Sequence, residues 1–175
     1  ILNYLILIGN KPPKEIFTLN EAIEWFDLAN ISKSPARFDI NMLKHINREH
    51  LKMLDSKELS RYVGFADEEI GELAKIYLEE SNTTKDLRSK IKPFFDEKDI
   101  PQEFKEAADT IIRTIKKAPY FDEYEDFKNF IMKESGLKGK NFFKPLRLLL
   151  SGAEHGPDIA LIYKYLKNYI GEIVK

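Results

Sequence analysis

One arginine stands inside an otherwise apolar helical run near the end of the chain. Arg147 lies in NFFKPLRLLL, and a tight turn from Ser151 to Pro157 follows before a second helical pattern begins. A guanidinium presents a planar fork of N–H donors, which suits planar arrays of acceptor atoms and phosphate. Gly156 permits close approach of a backbone and Pro157 fixes the turn. These residue types could form a binding surface, with an arginine beside a shaped wall.

Composition alone favours a simpler interpretation, in which an arginine with a buried stem lies beside an ordinary helix C-cap.

Catalysis is not indicated by the sequence. The sequence has no glycine-rich phosphate loop and no serine hydrolase elbow. Adjacent acids such as Glu68 and Glu69 lie in a generally acidic stretch, where their pairing is weak evidence for acid–base chemistry. We therefore expect no catalytic residue in this chain.

Metal binding is not expected either. Cysteine is absent, which excludes disulfides and thiolate metal sites and fits a reducing compartment. His45 and His50 are five residues apart, about 140° around a helix, so they do not share a ligand face. The predicted set of metal ligands is empty.

Charge is nearly balanced over the 175 residues, with 28 Lys and Arg against 29 Asp and Glu. The balance is uneven, since basic residues are in excess from residue 138 onward and acidic residues from 67 to 109. A uniform field that attracts polyanions is therefore excluded, and contact with an anionic partner is expected to be local. A solvated basic face without a ligand is the alternative for the end of the chain.

Helix signals recur along the chain and strand signals are scarce, so we predict an all-α fold, a multi-helix bundle. Three helices have recognisable N-caps, at Thr18 in a capping box with Glu21, at Asp39 and at Asp55. Apolar stripes with helical spacing are far more often core than ligand site. The further predicted helices cover 67–80, 84–91, 101–117, 124–131 and 159–173.

Two consecutive helical subdomains are expected, residues 1–92 and 93–175. The boundary is placed where charged residues and two prolines interrupt the apolar periodicity, between Asn82 and Pro101. The opening run ILNYLILIG is apolar for about eight residues, too few to cross a bilayer, and it lacks the features of a signal peptide. We interpret it as a helix of a longer protein and expect no membrane contact.

Motifs in order along the chain resemble bacterial glutamyl-tRNA synthetases, in the region after their catalytic domain. SKSPARFD is followed by MLKHINREHL, in which Asn47 falls on the asparagine of the family motif. PLR, ending at Arg147, and HGP, ending at Pro157, resemble the signature that closes the family's anticodon-binding region. The resemblance covers essentially the whole chain. It departs from the family pattern at His45 and Ile46, and at Arg48, where the family has glycine.

The resemblance implies a function. The chain would be the anticodon-binding part of a glutamate–tRNA ligase, whose catalytic domain, missing here, uses ATP and Mg²⁺ to attach glutamate to tRNA. Alone it would be inactive, with tRNA as its partner, and we expect a cytoplasmic monomer. The open alternatives are a stand-alone helical nucleic-acid binder and a protein-interaction module, and the near-neutral charge argues against the first of these.

The resemblance also implies site residues. Arg147 falls on the family arginine that contacts anticodon bases, and Gly156, Pro157 and Ile159 fall on elbow positions that pack against the anticodon. Single-stranded loops offer unstacked bases to such surfaces. The predicted contacts with phosphates of the anticodon stem are basic side chains, namely Lys33, Arg37, Lys44 and Lys52.

Glu80 is the residue on which the choice of tRNA is predicted to depend. In family members that reject glutamine tRNA, an arginine at this position reads the third anticodon base, a cytosine. A carboxylate repels the O2 and N3 acceptors of cytosine and accepts from the N1–H and N2–H donors of guanine, the third base in glutamine tRNA. The hypothesis is that the parent enzyme accepts glutamine tRNA and, in its stronger form, prefers it. The alternative is an exposed glutamate at a helix end.

Overall fold

The computed structural model describes residues 1–174, which fold into helices without any strand, so the all-α prediction is confirmed. The α-helices are α1 (Leu2–Gly9), α2 (Leu19–Trp25), α3 (Ile40–Lys52), α4 (Ser56–Val63), α5 (Glu68–Lys75), α6 (Thr84–Ile91), α7 (Lys105–Ile115), α8 (Tyr124–Ser135), α9 (Lys140–Ser151), α10 (Ile159–Leu166) and α11 (Ile170–Ile173). Short 3-10 helices cover Leu28–Asn30, Leu78–Glu80, Lys92–Phe94, Gln102–Phe104 and Lys167–Tyr169.

The predicted N-caps begin their helices. The Thr18 hydroxyl accepts from the Glu21 N–H at 3.3 Å, and the Glu21 carboxylate accepts from the Thr18 N–H at 2.8 Å, which completes a capping box. Asp39 accepts from the Asn41 N–H at 2.8 Å, and Asp55 caps α4 in the same way. Each cap satisfies backbone donors that the first turn leaves without intrahelical partners.

The helix predicted over 67–80 is divided in the structure, because the backbone hydrogen bonds after α5 span three residues and not four. The N–H groups of Ile76 and Tyr77 bond to carbonyls three residues back, those of Leu73 and Ala74. Such bonds close the last turn of an α-helix and change its direction. Glu80 therefore lies on a separate 3-10 turn. The pattern over 159–173 is divided similarly, into α10 and α11.

One hydrophobic cluster holds most of the chain together, from Leu51 at the end of α3 to Val174. Helices α4 and α5 pack very closely, and a Cβ added to Gly71 would lie 1.7 Å from the Ser56 carbonyl oxygen. The cluster includes Leu87 before the predicted boundary and Leu149 after it. The division at residues 92 and 93 stays a prediction.

A smaller cluster of Ile6, Phe17 and Ala22 lies at the start of the chain. The loop between α2 and α3 is tied to α1 at its middle and at its end, because the Ser32 N–H donates to the Gly9 carbonyl at 2.8 Å and the Asp39 N–H donates to the Tyr4 hydroxyl. None of the helices in residues 1–174 combines the length and apolar character needed to cross a membrane.

Candidate functional site

A pocket of about 190 Å³ lies between the α9–α10 turn and the segment that runs from Tyr77 through α6. Four of the residues predicted from sequence line it. The α9 side contributes Arg147 and the turn contributes Gly156 and Pro157, whereas Glu80 faces them from the 3-10 turn. Residues separated by some seventy positions in sequence are thus brought to one opening.

Arg147 is half-buried, and the turn fixes its guanidinium. Its Nη2 donates to the Pro157 carbonyl oxygen at 3.0 Å, while its Nε is buried and has no acceptor within residues 1–174. A buried donor without an acceptor is uncommon and costly, and it is often satisfied by a ligand or water. The arginine therefore has a donor that no residue of the described chain satisfies.

The turn itself depends on two glycines. Gly152 ends α9 with φ of 70°, and its N–H donates to the Leu148 carbonyl at 2.8 Å. A Cβ at Gly152 would lie 2.8 Å from the Pro93 carbonyl oxygen, and one at Gly156 would lie 3.2 Å from Arg147 Nη2. Only glycine fits the first position without displacing backbone. The turn is therefore in close contact both with Pro93, across the pocket, and with Arg147.

On the other side of the pocket, Glu80 is more exposed than Arg147. The Glu80 carboxylate lies 2.7 Å from the Nζ atom of Lys90 on α6, and the Glu80 side chain is 61% exposed. Both residues line the pocket. Two charges of opposite sign therefore stand side by side at its mouth, each with room for a further hydrogen bond.

Helix α3 holds the backbone around Glu80. The Asn47 side-chain amide donates to the Asn82 carbonyl at 2.5 Å, and Arg48 Nη1 donates to the Glu79 carbonyl at 3.1 Å. These bonds fix the two ends of the segment that carries Glu80. Arg48, which departs from the family motif, thus has a direct structural contact.

Sequence reasoning did not select Tyr77 or Lys90, although both line the pocket. Burial raises the pKa of Tyr77 to about 12, because the phenolate is poorly solvated there, and the nearby Arg147 charge acts in the opposite direction. Tyr77 precedes Glu80 by three residues, a spacing that places both on one side of a helical turn. For Lys90 no comparable signal exists, because its position follows only from the packing of α6.

Other predicted site residues lie away from this pocket. Ile159 begins α10, is partly buried and packs against the main hydrophobic cluster. The predicted phosphate contacts lie on α3 and the loop before it. Lys33, Arg37 and Lys44 are exposed and form no ion pair within the described residues, whereas Lys52 lies 2.7 Å from Glu79 and 3.1 Å from Glu49.

No three His, Asp or Glu side chains in the described part of the chain converge in a way that would hold a metal ion. His50 instead lies 2.9 Å from the Asn3 side-chain oxygen, and burial lowers the pKa of His50. Its neighbour in the sequence motif, His45, lies 3.8 Å from Glu15. The two histidines therefore have separate structural contacts.

Comparison with known proteins gives a family for this arrangement. Residues 48–167 match the family model described as "Anticodon binding domain". The chain is 77% identical over all its 175 residues to "Glutamate--tRNA ligase 2" of Sulfurimonas denitrificans and 51% identical to "Glutamate--tRNA ligase 1" of a Nitratiruptor species. In both cases it spans 40% of the length of the relative.

Solved structures share the fold. A glutamate tRNA ligase from Elizabethkingia meningosepticum, in complex with its amino acid, aligns with a TM-score of 0.63 and 21% identity over 99% of this chain and 39% of that one. The glutamate-tRNA synthetase from Elizabethkingia anophelis aligns with a TM-score of 0.58 and 24% identity over the same shares.

Proposed function

Because the chain belongs to the anticodon-binding domain family, we propose that it binds the anticodon loop of a tRNA as one part of a glutamate–tRNA ligase. The observation that carries the proposal is the convergence of Arg147, Gly156, Pro157 and Glu80 on one pocket within the matched range. The family match favours this function over a stand-alone protein-interaction module.

The pocket has the chemistry that an unstacked base requires. Arg147 supplies donors for base or phosphate acceptors, and the Gly156–Pro157 turn supplies a surface on which a base can pack. Because the guanidinium is already bonded to Pro157, the arginine and the turn act as one unit. A base that enters would contact both.

The chain spans 40% of the length of its curated relatives, so the activity of the whole ligase rests on further parts. The residues described here do not fit a Mg²⁺ site, since no acidic cluster converges. We assign ATP and Mg²⁺ to the remainder of the ligase and predict that this chain alone does not attach glutamate. The monomeric state and the cytoplasmic location stay predictions.

Binding of glutamate and glutamine tRNAs to the 175-residue chain tests the proposal. Affinity should fall steeply with added salt, because phosphate contacts release counterions. Arg147→Met should weaken binding about tenfold or more, since a charge-assisted hydrogen bond is lost. Arg113→Met, which removes an equal charge from an exposed position on α7, is the matched control and should change affinity little. Equal binding by Arg147→Met and the unaltered chain would contradict the proposal.

We further propose that the ligase accepts, and prefers, glutamine tRNA, with Glu80 as the residue that reads the third anticodon base. The exposed carboxylate lies on the pocket and has an acceptor surface beyond its contact with Lys90. Guanine offers two donors to a carboxylate, whereas cytosine offers two acceptors that it repels. The unmatched polar group is what disfavours the wrong base.

Glu80→Arg should reverse this preference. The ratio of affinities for stem-loops with guanine and cytosine at the third position should change about 10- to 100-fold in favour of cytosine. Glu79→Arg is the control, because Glu79 is the adjacent residue of the same turn, is 75% exposed and does not line the pocket. A base preference that is the same in Glu80→Arg and Glu79→Arg would disprove the role of Glu80.

A further inference from the structure

Lys90 and Glu80 form the one feature of the pocket that presents both signs of charge at close range. Their side chains come from α6 and from the 3-10 turn, ten residues apart, and the Nζ–Oε2 distance is 2.7 Å. Lys90 is 41% exposed and lines the same opening as Glu80 and Arg147. The ammonium is therefore accessible to whatever occupies that opening.

A surface ion pair of this kind contributes little to stability, because solvent screens both charges. An ammonium also has three donors, and its contact with Glu80 uses one of them. Lys90 can keep the contact with the carboxylate while it donates to a second acceptor. A carboxylate likewise has a free oxygen after one bond to lysine. The pair thus offers a donor and an acceptor next to each other.

On the basis of the proposed function, we propose that Lys90 is a second specificity-determining residue and that, with Glu80, it reads the Watson–Crick edge of guanine at the third anticodon position. Guanine presents an acceptor, O6, beside two donors, N1–H and N2–H. The Lys90 ammonium donates to O6 while the Glu80 carboxylate accepts from N1–H and N2–H. Each group on the protein then meets its opposite on the base.

The other bases do not match this order of groups. Cytosine presents a donor at N4 beside acceptors at N3 and O2, so both protein groups face the wrong partner. Adenine presents a donor at N6 and an acceptor at N1, with the same result. Uracil satisfies lysine through O4 and the carboxylate through N3–H, but its O2 acceptor then faces the carboxylate. Discrimination against uracil therefore depends on Glu80, and O6 recognition depends on Lys90.

A base analogue isolates the contribution of lysine. In 6-thioguanine, sulfur replaces O6 and is a weak acceptor, while N1–H and N2–H are retained. Anticodon stem-loop RNAs that differ only in guanine, 6-thioguanine or cytosine at the third position are bound to the 175-residue chain, and dissociation constants are measured by fluorescence anisotropy. The readout is the ratio of affinities for guanine and 6-thioguanine, which loss of a general phosphate attraction does not change.

The unaltered chain should bind the guanine stem-loop about tenfold more tightly than the 6-thioguanine one, since a charge-assisted hydrogen bond is weakened. In Lys90→Met this ratio should fall to about one. Lys92→Met is the matched control, because Lys92 is 71% exposed, pairs with Asp96 at 3.2 Å and does not line the pocket. It should keep the tenfold ratio.

The outcomes separate the two proposals. If Lys90→Met keeps the guanine to 6-thioguanine ratio of the unaltered chain, lysine does not read O6 and the inference is wrong, even when binding and the preference over cytosine persist. If the unaltered chain binds no stem-loop, or binds all three equally, the proposed function or its base preference fails and the role of Lys90 fails with it. Circular dichroism spectra of both variants check that the helices are intact.

Discussion

The two sides of the pocket are built in different ways. On the α9 side, Arg147 is half-buried and bonded to the turn, and the turn packs against Pro93 through Gly152. On the opposite side, Glu80 and Lys90 are exposed and are joined by an ion pair. The first side has little freedom to change without a change in the fold, whereas the second can change its charges with little effect on stability.

In the proposed function this difference would separate affinity from the choice of base. Contacts that any base or phosphate can make would come from the side that is fixed in the fold. Contacts that distinguish one base from another would come from the exposed side chains of Glu80 and Lys90. Substitutions on the two sides are therefore expected to affect different quantities, and four experiments test that separation.

The largest effect is expected at the fixed side, in Gly152→Ala. The new Cβ would lie 2.8 Å from the Pro93 carbonyl oxygen, at φ of 70°, so backbone must move. We expect the free energy of unfolding to fall by about 2–4 kcal/mol, measured by urea denaturation. Gly136→Ala has a similar φ of 69° with no atom within 4 Å, and should cost only about 1 kcal/mol. Equal losses would show that Gly152 is not in a tight contact.

Gly156→Ala should weaken RNA binding more than it weakens the fold. Its Cβ would lie 3.2 Å from Arg147 Nη2, so the guanidinium must move by a few tenths of an ångström, which disturbs its bond to Pro157. We expect affinity for every stem-loop to fall about three- to tenfold with no change in base preference. Urea denaturation of Gly156→Ala measures the strain of alanine at the φ of 146°, so that a loss of stability can be told from a loss of the contact with RNA. A change in the ratio between guanine and cytosine would contradict the separation of the two sides.

Arg48→Met, in contrast, should change the preference between bases more than the overall affinity for RNA. The variant removes the donor that holds the Glu79 carbonyl at 3.1 Å, and the adjacent Glu80 becomes less well positioned. The guanine to cytosine affinity ratio should fall about threefold. Arg61→Met removes an equal charge from an exposed position on α4 and should keep the ratio. If both variants lose affinity equally for all stem-loops, Arg48 acts only through its charge.

The smallest effect is expected for Tyr77, which also lines the pocket. Its pKa is raised from 10.0 to about 12, so its contribution to stability is complete below pH 10 and is lost as pH rises through about 12. The free energy of unfolding of Tyr77→Phe should therefore fall less steeply between pH 10 and 12 than that of the unaltered chain, as measured by urea denaturation at several pH values. Tyr62→Phe, at an exposed position, is the control variant.

Much of the fold could be predicted from local signals. The caps at Thr18, Asp39 and Asp55 and the helix over 84–91 were predicted from sequence and are confirmed. Capping and apolar spacing act within one or two turns, so a short window contains the information. The break after Lys75 was not predicted, since the apolar stripe continues through it while the backbone bonds change.

The residues of the site divide in the same way, into those recognisable from a local motif and those positioned by long-range packing. Arg147 and its turn are neighbours in sequence, and the motif that contains them could be recognised. Lys90 was missed because its place beside Glu80 depends on how α6 packs, which no local pattern records. The bonds from Asn47 and Arg48 to the Glu80 segment likewise join residues more than thirty positions apart.

The bond between Arg147 and Pro157 also has an entropic consequence. A free arginine side chain samples many rotamers and loses that freedom when it binds a partner, at a cost of about 0.5–1.5 kcal/mol. Here the guanidinium is already restrained by the turn at 3.0 Å. The loss of rotamer freedom thus occurs when the chain folds, so in the proposed complex the binding of RNA would not carry this entropic cost of ordering Arg147.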